Sequence, residues 1–390
     1  MTEKQMKILS VVGARPNFMK IAPFVKAINN HNNNNPDYKI THTLLHTGQH
    51  YDFRMSDNFF HDLGIPEPEI NLGVGSGTHA EQVGNTMIEF EKVLLIMRPD
   101  WVVVVGDVNA TLACSVTAKK EIIKCCHIEA GLRSGDMTMP EEINRIVTDR
   151  VSDLLLAPDQ ISVNNLHSEG VPENRIVMTG NIMIDTFDAN IDRAKELNIN
   201  DIIAGNLATA LNRIPTLKEN EPFAFVTLHR PSNVDELNTL SSITNFLSKE
   251  ATKELKIIWS VHPRTEKNLK KFKLWDSLAE NKNMILLHPI SYTETLKLNL
   301  SARLIMTDSG GLQEESTVLG TPCITLRNNT ERPVTLRQNG GTSVLAGNNP
   351  EIIRKEFYNA LTMERKPFRP PLWDGHAAER CLKAILEYQT

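Results

Sequence analysis

Short apolar runs alternate with longer amphipathic stretches along the whole chain. Ile8-Leu9-Ser10-Val11-Val12 predicts a first strand, followed by a helix from about Pro16. Thr41-His42-Thr43-Leu44-Leu45 predicts the next. Trp101-Val102-Val103-Val104-Val105 is almost entirely β-branched, which suits the centre of a parallel sheet buried on both faces. Cys125-Cys126-His127-Ile128 and Leu154-Leu155-Leu156 complete a first set. A second set runs through Ala224–Leu228, Ile257–Val261, Met284–Leu287, Leu304–Met306 and Cys323–Leu326. Strands alternating with helices imply α/β layers, and two such sets imply two Rossmann-like doubly wound domains.

The expected division is an N-terminal domain over residues 1–180, with a boundary near Thr179-Gly180-Asn181, and a C-terminal domain over 181–370. Residues 371–390 follow the break at Pro370-Pro371 and predict a last helix, Ala377 to Tyr388, that crosses back onto the first domain. The polar, helix-rich stretch from Asn198 to Glu221 opens the second domain. Asn32–Asn35, ending at Pro36, reads as a surface loop after the first helix, and Gly73-Val74-Gly75-Ser76-Gly77 as a further loop.

At 390 residues the chain is too long for one ordinary core, which agrees with two domains. A net charge of -5 with dispersed basic residues argues against a nucleic-acid partner. No apolar run reaches membrane-spanning length, and the N-terminus has no signal-peptide pattern, so the expectation is a cytoplasmic protein with no membrane partner. Five cysteines show no metal-ligand spacing, and adjacent Cys125-Cys126 in an apolar run suit a reduced core.

The most specific segment is Asp308-Ser309-Gly310-Gly311-Leu312-Gln313-Glu314-Glu315, set between an apolar strand and a helix. Ser309, Gly310 and Gly311 let backbone N–H groups approach an anion, and the helix dipole favours phosphate there. Glu315, about one turn into the helix, can accept from a vicinal diol such as a ribose. Together these point to a nucleotide; the competing reading is a plain helix cap with surface glutamates.

Other polar residues fall at strand ends, where doubly wound folds hold ligands. Arg15 and Lys20 follow the first strand and could meet phosphate, although Lys20 alone reads better as solvated. Gly106-Asp107 follows the all-valine strand, with a helix cap as the alternative for Asp107. Glu129 stands between a strand and Gly131. Glu141 and Glu142 open a helix, where acids also belong on dipole grounds. His229 and His262 follow strands of the second set, where hydrogen-bonded structural roles compete with catalysis. Arg332 could pair with phosphate or with a surface acid. Asp107, Glu129 and Glu141 at one domain's mouth suggest general acid–base chemistry. Gly-x-Gly-x-x-Gly is absent in the dinucleotide sense, so NAD is not supported.

The stretches Gly13–Lys20, Thr47–His50, Gly106-Asp107, His127–Arg133, Pro140–Arg145, His229-Arg230, Asp308–Glu315 and Thr330–Pro333 stand in an order that resembles the non-hydrolysing UDP-N-acetylglucosamine 2-epimerases, from about Lys7 to the last helix. The resemblance implies a glycosyltransferase-B-like fold with an interdomain cleft and a homodimer. It implies reversible conversion of UDP-GlcNAc to UDP-ManNAc without NAD, essential metal or other cofactor. The route is anti elimination of UDP to 2-acetamidoglucal, then re-addition. By position, Asp107, Glu129 and Glu141 resemble the acid–base carboxylates and His229 the residue supporting the leaving UDP. Arg15, Arg332 and Ser309-Gly310-Gly311 resemble diphosphate contacts, with Lys20 beside them, and Glu315 the ribose contact. Gln49, His50 and His262 resemble positions that bind an activating second UDP-GlcNAc in bacterial members; Arg133, Glu142 and Arg145 are further candidates for activator or sugar contacts. The loop from Arg133 to Glu141 is shorter than in many bacterial members, so Glu141 and Glu142 could exchange roles. Ser76-Gly77-Thr78-His79 replaces an Arg-Gln-Thr segment common in those enzymes. The opening motif also resembles epimerases of UDP-diacetamido-glucuronic acid. A retaining glycosyltransferase, a hydrolysing epimerase and a non-catalytic sugar-nucleotide sensor are the remaining alternatives.

Overall fold

A computed structural model describes residues 5–48, 67–208 and 214–389. The chain forms two units: Met1–Asp188 with Pro370–Thr390, and Ala189–Arg369.

The first unit is built on β1 (Lys7–Val12), β2 (Thr41–His46), β3 (Ile70–Asn71), β4 (Trp101–Val105), β5 (Lys124–Ile128), β6 (Leu154–Ala157) and β7 (Ile176–Met178). They form one parallel sheet in the order β3-β2-β1-β4-β5-β6-β7. Alternate side chains of each strand enter different layers, as the two-residue period requires. Ile8, Val12, Trp101, Val103 and Val105 pack with the helix Arg15–Asn34, while Leu9, Val11, Val102 and Val104 pack with Phe90 and Leu94 of the helix His79–Met97. Cys125 and Cys126 divide between these two layers, and all five cysteines are free and buried. Burial pushes the Cys125 thiol up to about 12.

The last helix, Ala377–Glu387, completes this unit by burying Ala377, Ala378, Cys381, Leu382 and Ile385, the spacing of one helical face. It packs against the helix Arg15–Asn34. Its first N–H groups would otherwise be orphaned. Instead Ala377 and Ala378 donate to the Asp185 carboxylate at 3.0 and 2.7 Å. Arg380 donates to the carbonyls of Thr179 and Leu372. A Cβ at Gly180 would lie 2.0 Å from the Leu372 carbonyl, so only glycine fits that approach.

The second unit repeats the plan with β8 (Phe223–Thr227), β9 (Lys256–Ser260), β10 (Met284–Leu287), β11 (Leu304–Thr307), β12 (Cys323–Thr325) and β13 (Ser343–Leu345), in the order β10-β9-β8-β11-β12-β13. Ala224, Val226, Ile257 and Trp259 enter one core layer, and Phe223, Phe225, Ile258 and Ile285 the other. Each large apolar side chain among them contributes roughly 1.5–3 kcal/mol by leaving water.

Several expectations change. The first helix begins at Arg15, with Pro16 in its second position, so Arg15 is helical rather than in the loop. Asn32–Asn34 belong to the end of that helix rather than to a loop. The reason is local: the Asn32 side chain accepts from Ile40 N–H at 2.7 Å and donates to its carbonyl at 2.9 Å, tying the helix end to the approach of β2. β3, β7 and β13 are absent from the predicted sets because two or three residues carry no readable period. The Gly73–Gly75 segment follows β3 and pairs with the loop after β2, with Val74 N–H donating to Thr47 O at 3.0 Å. Thr78 and Glu81 form a reciprocal cap on the helix His79–Met97, which gives the Ser76–His79 segment a structural part. Among the described residues no helix is long and apolar enough to cross a membrane.

Candidate active site

In each sheet the strand order reverses once, between β1 and β4 and between β8 and β11. Ligands of doubly wound folds lie at the carboxyl ends of strands at such switch points. The candidate residues stand there in both units.

In the first unit Asp107 follows β4, Glu129 follows β5, and Lys20 lies in the helix after β1. Lys20 and Glu129 form a buried ion pair through Nζ and Oε2, so Lys20 is not a solvated lysine. Gly106, with φ +70°, makes room for it: a Cβ there would meet Lys20 Nζ and Asn17 Nδ2, each at 3.2 Å. Asn17 donates to the Val105 carbonyl at 2.8 Å and accepts from Ala14 N–H at 3.0 Å, joining the ends of β1 and β4. Glu129 has φ +72°, a left-handed conformation that costs a non-glycine residue roughly 1–3 kcal/mol and clusters at functional sites. It is held there by the Glu129 and Ala130 N–H groups, both donating to Leu156 O at 3.1 Å.

Asp107 receives Arg145 Nε at 3.0 Å and Nη2 at 2.9 Å, while its carbonyl accepts from Asn144 at 2.8 Å. Arg145 is buried and also pairs with Glu142, so its guanidinium is committed to protein acids. Glu142 is buried as well and accepts from Ser134 and Gly135 N–H at 3.0 and 2.8 Å. That distinguishes the neighbouring acids: Glu142 shapes the loop before the helix Pro140–Val151, and half-buried Glu141 has no hydrogen-bond or ion-pair partner among the described residues. Arg133 donates to Asp149 and, as a fork, to both Glu169 oxygens at 2.7 Å.

In the second unit Asp308 follows β11 and is fully buried. Its carboxylate accepts from the backbone N–H of His229 and of Arg230 and from Asn233 Nδ2, and contacts His229 Nδ1 at 2.8 Å. Burial alone would raise this acid, but the His229 contact and the other donors hold it below the usual carboxylate range. An acceptor on Nδ1 fixes the His229 ring and leaves Nε2 for chemistry; the His229 side chain is 42% exposed. His262 lies beside it with ring centroids 5.7 Å apart, and its Nδ1 accepts from Arg264 N–H at 3.2 Å. Burial, then the neighbouring His229, hold His262 below its ordinary value.

Ser309 precedes the helix Gly310–Leu319 without capping it through its side chain, so first-turn N–H groups remain available to an anion. Arg332 lies against that turn: a Cβ at Gly310 would sit 2.8 Å from Arg332 Nη1 and 2.7 Å from Glu331 Oε1. Arg332 pairs with Glu314 at 2.7 Å and Glu331 at 2.5 Å, and Arg327 pairs with Glu331 at 2.6 Å. The surface ion pair expected as its alternative is therefore a buried network. Glu315 is buried, and burial raises its carboxyl from 4.5 to about 8; Tyr292 and Asn299 beside it pull the other way, and Glu314 adds to the rise. The folded state thus keeps a proton that the unfolded chain releases above pH 4.5. Stability from this group is full at acid pH and is lost as pH rises through about 8, a swing of about a few kcal/mol. Urea unfolding between about pH 5 and pH 8 should show that loss, and Glu315→Gln should flatten it; parallel slopes for both proteins would contradict the assignment.

Residues 32–386 match the family model for UDP-N-acetylglucosamine 2-epimerase. The chain is 41% identical to UDP-N-acetylglucosamine 2-epimerase of Methanocaldococcus jannaschii over 98% of this chain and 99% of that one. It belongs to the UDP-N-acetylglucosamine 2-epimerase family. The crystal structure of the M. jannaschii enzyme in complex with UDP-GlcNAc and UDP superposes with a TM-score of 0.86 at 41% identity, covering 98% of this chain and 100% of that one. The Neisseria meningitidis enzyme bound to UDP-GlcNAc superposes with a TM-score of 0.82 at 28% identity, over 98% and 100%. A UDP-2,3-diacetamido-2,3-dideoxy-D-glucuronate 2-epimerase of Pseudomonas aeruginosa is 36% identical over 84% of each chain.

In this 2-epimerase family member Lys20, Gly106 and Glu129 meet at the ends of β4 and β5, His229 meets Asp308 at the ends of β8 and β11, and Arg332 meets the turn after β11. Gln49, His50 and the Arg15 side chain lie outside the described residues. Two further residues, Asp308 and Asp149, carry no functional signal in the sequence. Asp308 is there only the start of a turn, although a fully buried carboxylate at a strand end must serve some partner. Asp149 is unmarked because it lies a little over two helical turns beyond Glu141, outside the acidic segment that opens the helix.

Proposed function

We propose that the chain interconverts UDP-N-acetylglucosamine and UDP-N-acetylmannosamine by anti elimination of UDP across C1–C2 and re-addition to the opposite face of 2-acetamidoglucal. The C2 hydrogen becomes acidic as the C1–O bond stretches, so a carboxylate must take it while other groups support the departing diphosphate. Asp107, Glu129 and Glu141 carry the protons. His229, presented by Asp308, assists the leaving UDP through Nε2. The Ser309-Gly310-Gly311 turn, Arg332 and Arg15 hold the diphosphate, and Glu315, protonated at neutral pH, can both donate to and accept from the ribose diol.

The observation that carries this reading is the pairing of two first-unit acids with buried cations, Glu129 with Lys20 and Asp107 with Arg145. Each cation offsets a charge that changes when the acid gains or loses a proton. N-acetylglucosamine is favoured over the diacetamido-glucuronate because similarity to the former enzymes extends over more of the chain. Incubation with UDP-GlcNAc alone tests the reading. UDP-ManNAc in equilibrium supports it; free ManNAc with UDP would mean hydrolysis, and no reaction without an acceptor would mean a transferase. We further assign the enzyme to the cytoplasm as a homodimer that supplies surface polysaccharide; a one-chain mass by light scattering would remove the dimer.

A further inference from the structure

Behind the two acids of the first unit lies a buried pair that the reaction above does not use. His127 stands on β5, two residues before Glu129, and Asp149 on the helix Pro140–Val151. Both side chains are 1% exposed, so water cannot replace either partner.

His127 Nε2 lies 2.8 Å from the Gly106 carbonyl, and Nδ1 lies 2.6 Å from Asp149 Oδ1. A carbonyl only accepts, so Nε2 carries a proton. The other Asp149 oxygen accepts from Gly131 N–H at 3.0 Å and from Arg133 Nη1 at 2.7 Å. Burial would raise the Asp149 carboxyl, but His127 and then Arg133 hold it below the usual range, so it is a carboxylate. The chain of contacts therefore runs from Gly106, the neighbour of Asp107, through His127 and Asp149 to Gly131, two residues after Glu129.

We infer that the His127–Asp149 pair is a positioning device that fixes the backbone turns carrying Asp107 and Glu129 relative to each other. Neither residue reaches the sugar; each acts through the loop that it holds. This rests on the assignment of Asp107 and Glu129 as acid–base groups. A displacement of either turn by a fraction of an ångström would leave UDP binding intact and misplace the proton acceptors.

Amide side chains separate the two contacts. His127→Gln can place an N–H near the Nε2 position and keep the Gly106 contact. His127→Asn can place one near Nδ1 and keep the Asp149 contact. The Gly106 contact matters more, because Asp149 keeps Arg133 and the Gly131 N–H when His127 is lost, whereas the Gly106 carbonyl loses its imidazole donor and the turn before Asp107 is left with the Gly106 N–H bond to Ile128 O at 3.2 Å. The expected result is a kcat loss of at least about tenfold in His127→Asn, with KM for UDP-GlcNAc and the Kd for UDP within about threefold of wild type, and partial recovery of kcat in His127→Gln. Asp149→Asn should also lower kcat while sparing UDP binding. Thermal unfolding of each variant is measured alongside, and kcat is taken below the onset of unfolding. Wild-type kcat in folded His127→Asn would overturn the inference, as would equal losses in the Asn and Gln variants that simply follow lowered stability. If Asp107→Asn and Glu129→Gln were themselves fully active, the functional reading would fail instead, so the two failures are distinguishable.

Discussion

Asp107→Asn and Glu129→Gln should each lower kcat by about 100- to 10,000-fold, the range that a positioned general acid or base contributes, while UDP still binds. The two variants differ in what else they disturb. Glu129→Gln leaves Lys20 buried beside a neutral amide, and breaking a buried ion pair costs about 3–5 kcal/mol. Asp107 is 26% exposed, and Arg145 retains Glu142 when Asp107 is neutralised, so Asp107→Asn should unfold close to the wild-type temperature. Steady-state rates with thermal unfolding check both. A near-normal rate in either variant would remove that residue from the proton chemistry.

Asp308→Asn should lower kcat by about 100-fold or more. The carboxylate accepts from two backbone N–H groups and from Asn233, and it sets the ring of His229. An amide at this position offers one acceptor oxygen where the carboxylate offers two. It can also donate to His229 Nδ1, which reverses the tautomer and moves the ring proton to Nε2. The unprotonated Nδ1 then faces a neutral amide, and the charge that would stabilise an imidazolium beside the departing diphosphate is gone. The loss should fall on kcat more than on UDP affinity, and His229→Ala in the Asp308→Asn background should add little. A full additional loss in the double variant would show that Asp308 does not act through His229.

The two doubly wound sheets were legible because their central strands are buried on both faces and read as unbroken apolar runs, Trp101–Val105 above all. The short edge strands were not, since Ile70-Asn71 and Ser343–Leu345 depend on a neighbouring strand rather than on their own pattern. Candidate residues at strand ends could be named from sequence, but their partners could not. Lys20 reads as a phosphate contact or a solvated lysine until its pairing with Glu129 is seen, and Glu141 and Glu142 are equivalent until Ser134, Gly135 and Arg145 are found on only one of them. The Lys20–Glu129 pairing joins residues 109 positions apart, where no local pattern reports it.

Proton exchange at C2 tests the central claim most directly. NMR of the protein with UDP-GlcNAc in deuterated water should show UDP-ManNAc with deuterium at C2, and Asp107→Asn should suppress both the product and the label. UDP-ManNAc that keeps its original C2 hydrogen would contradict an elimination in which a carboxylate of this protein takes the proton.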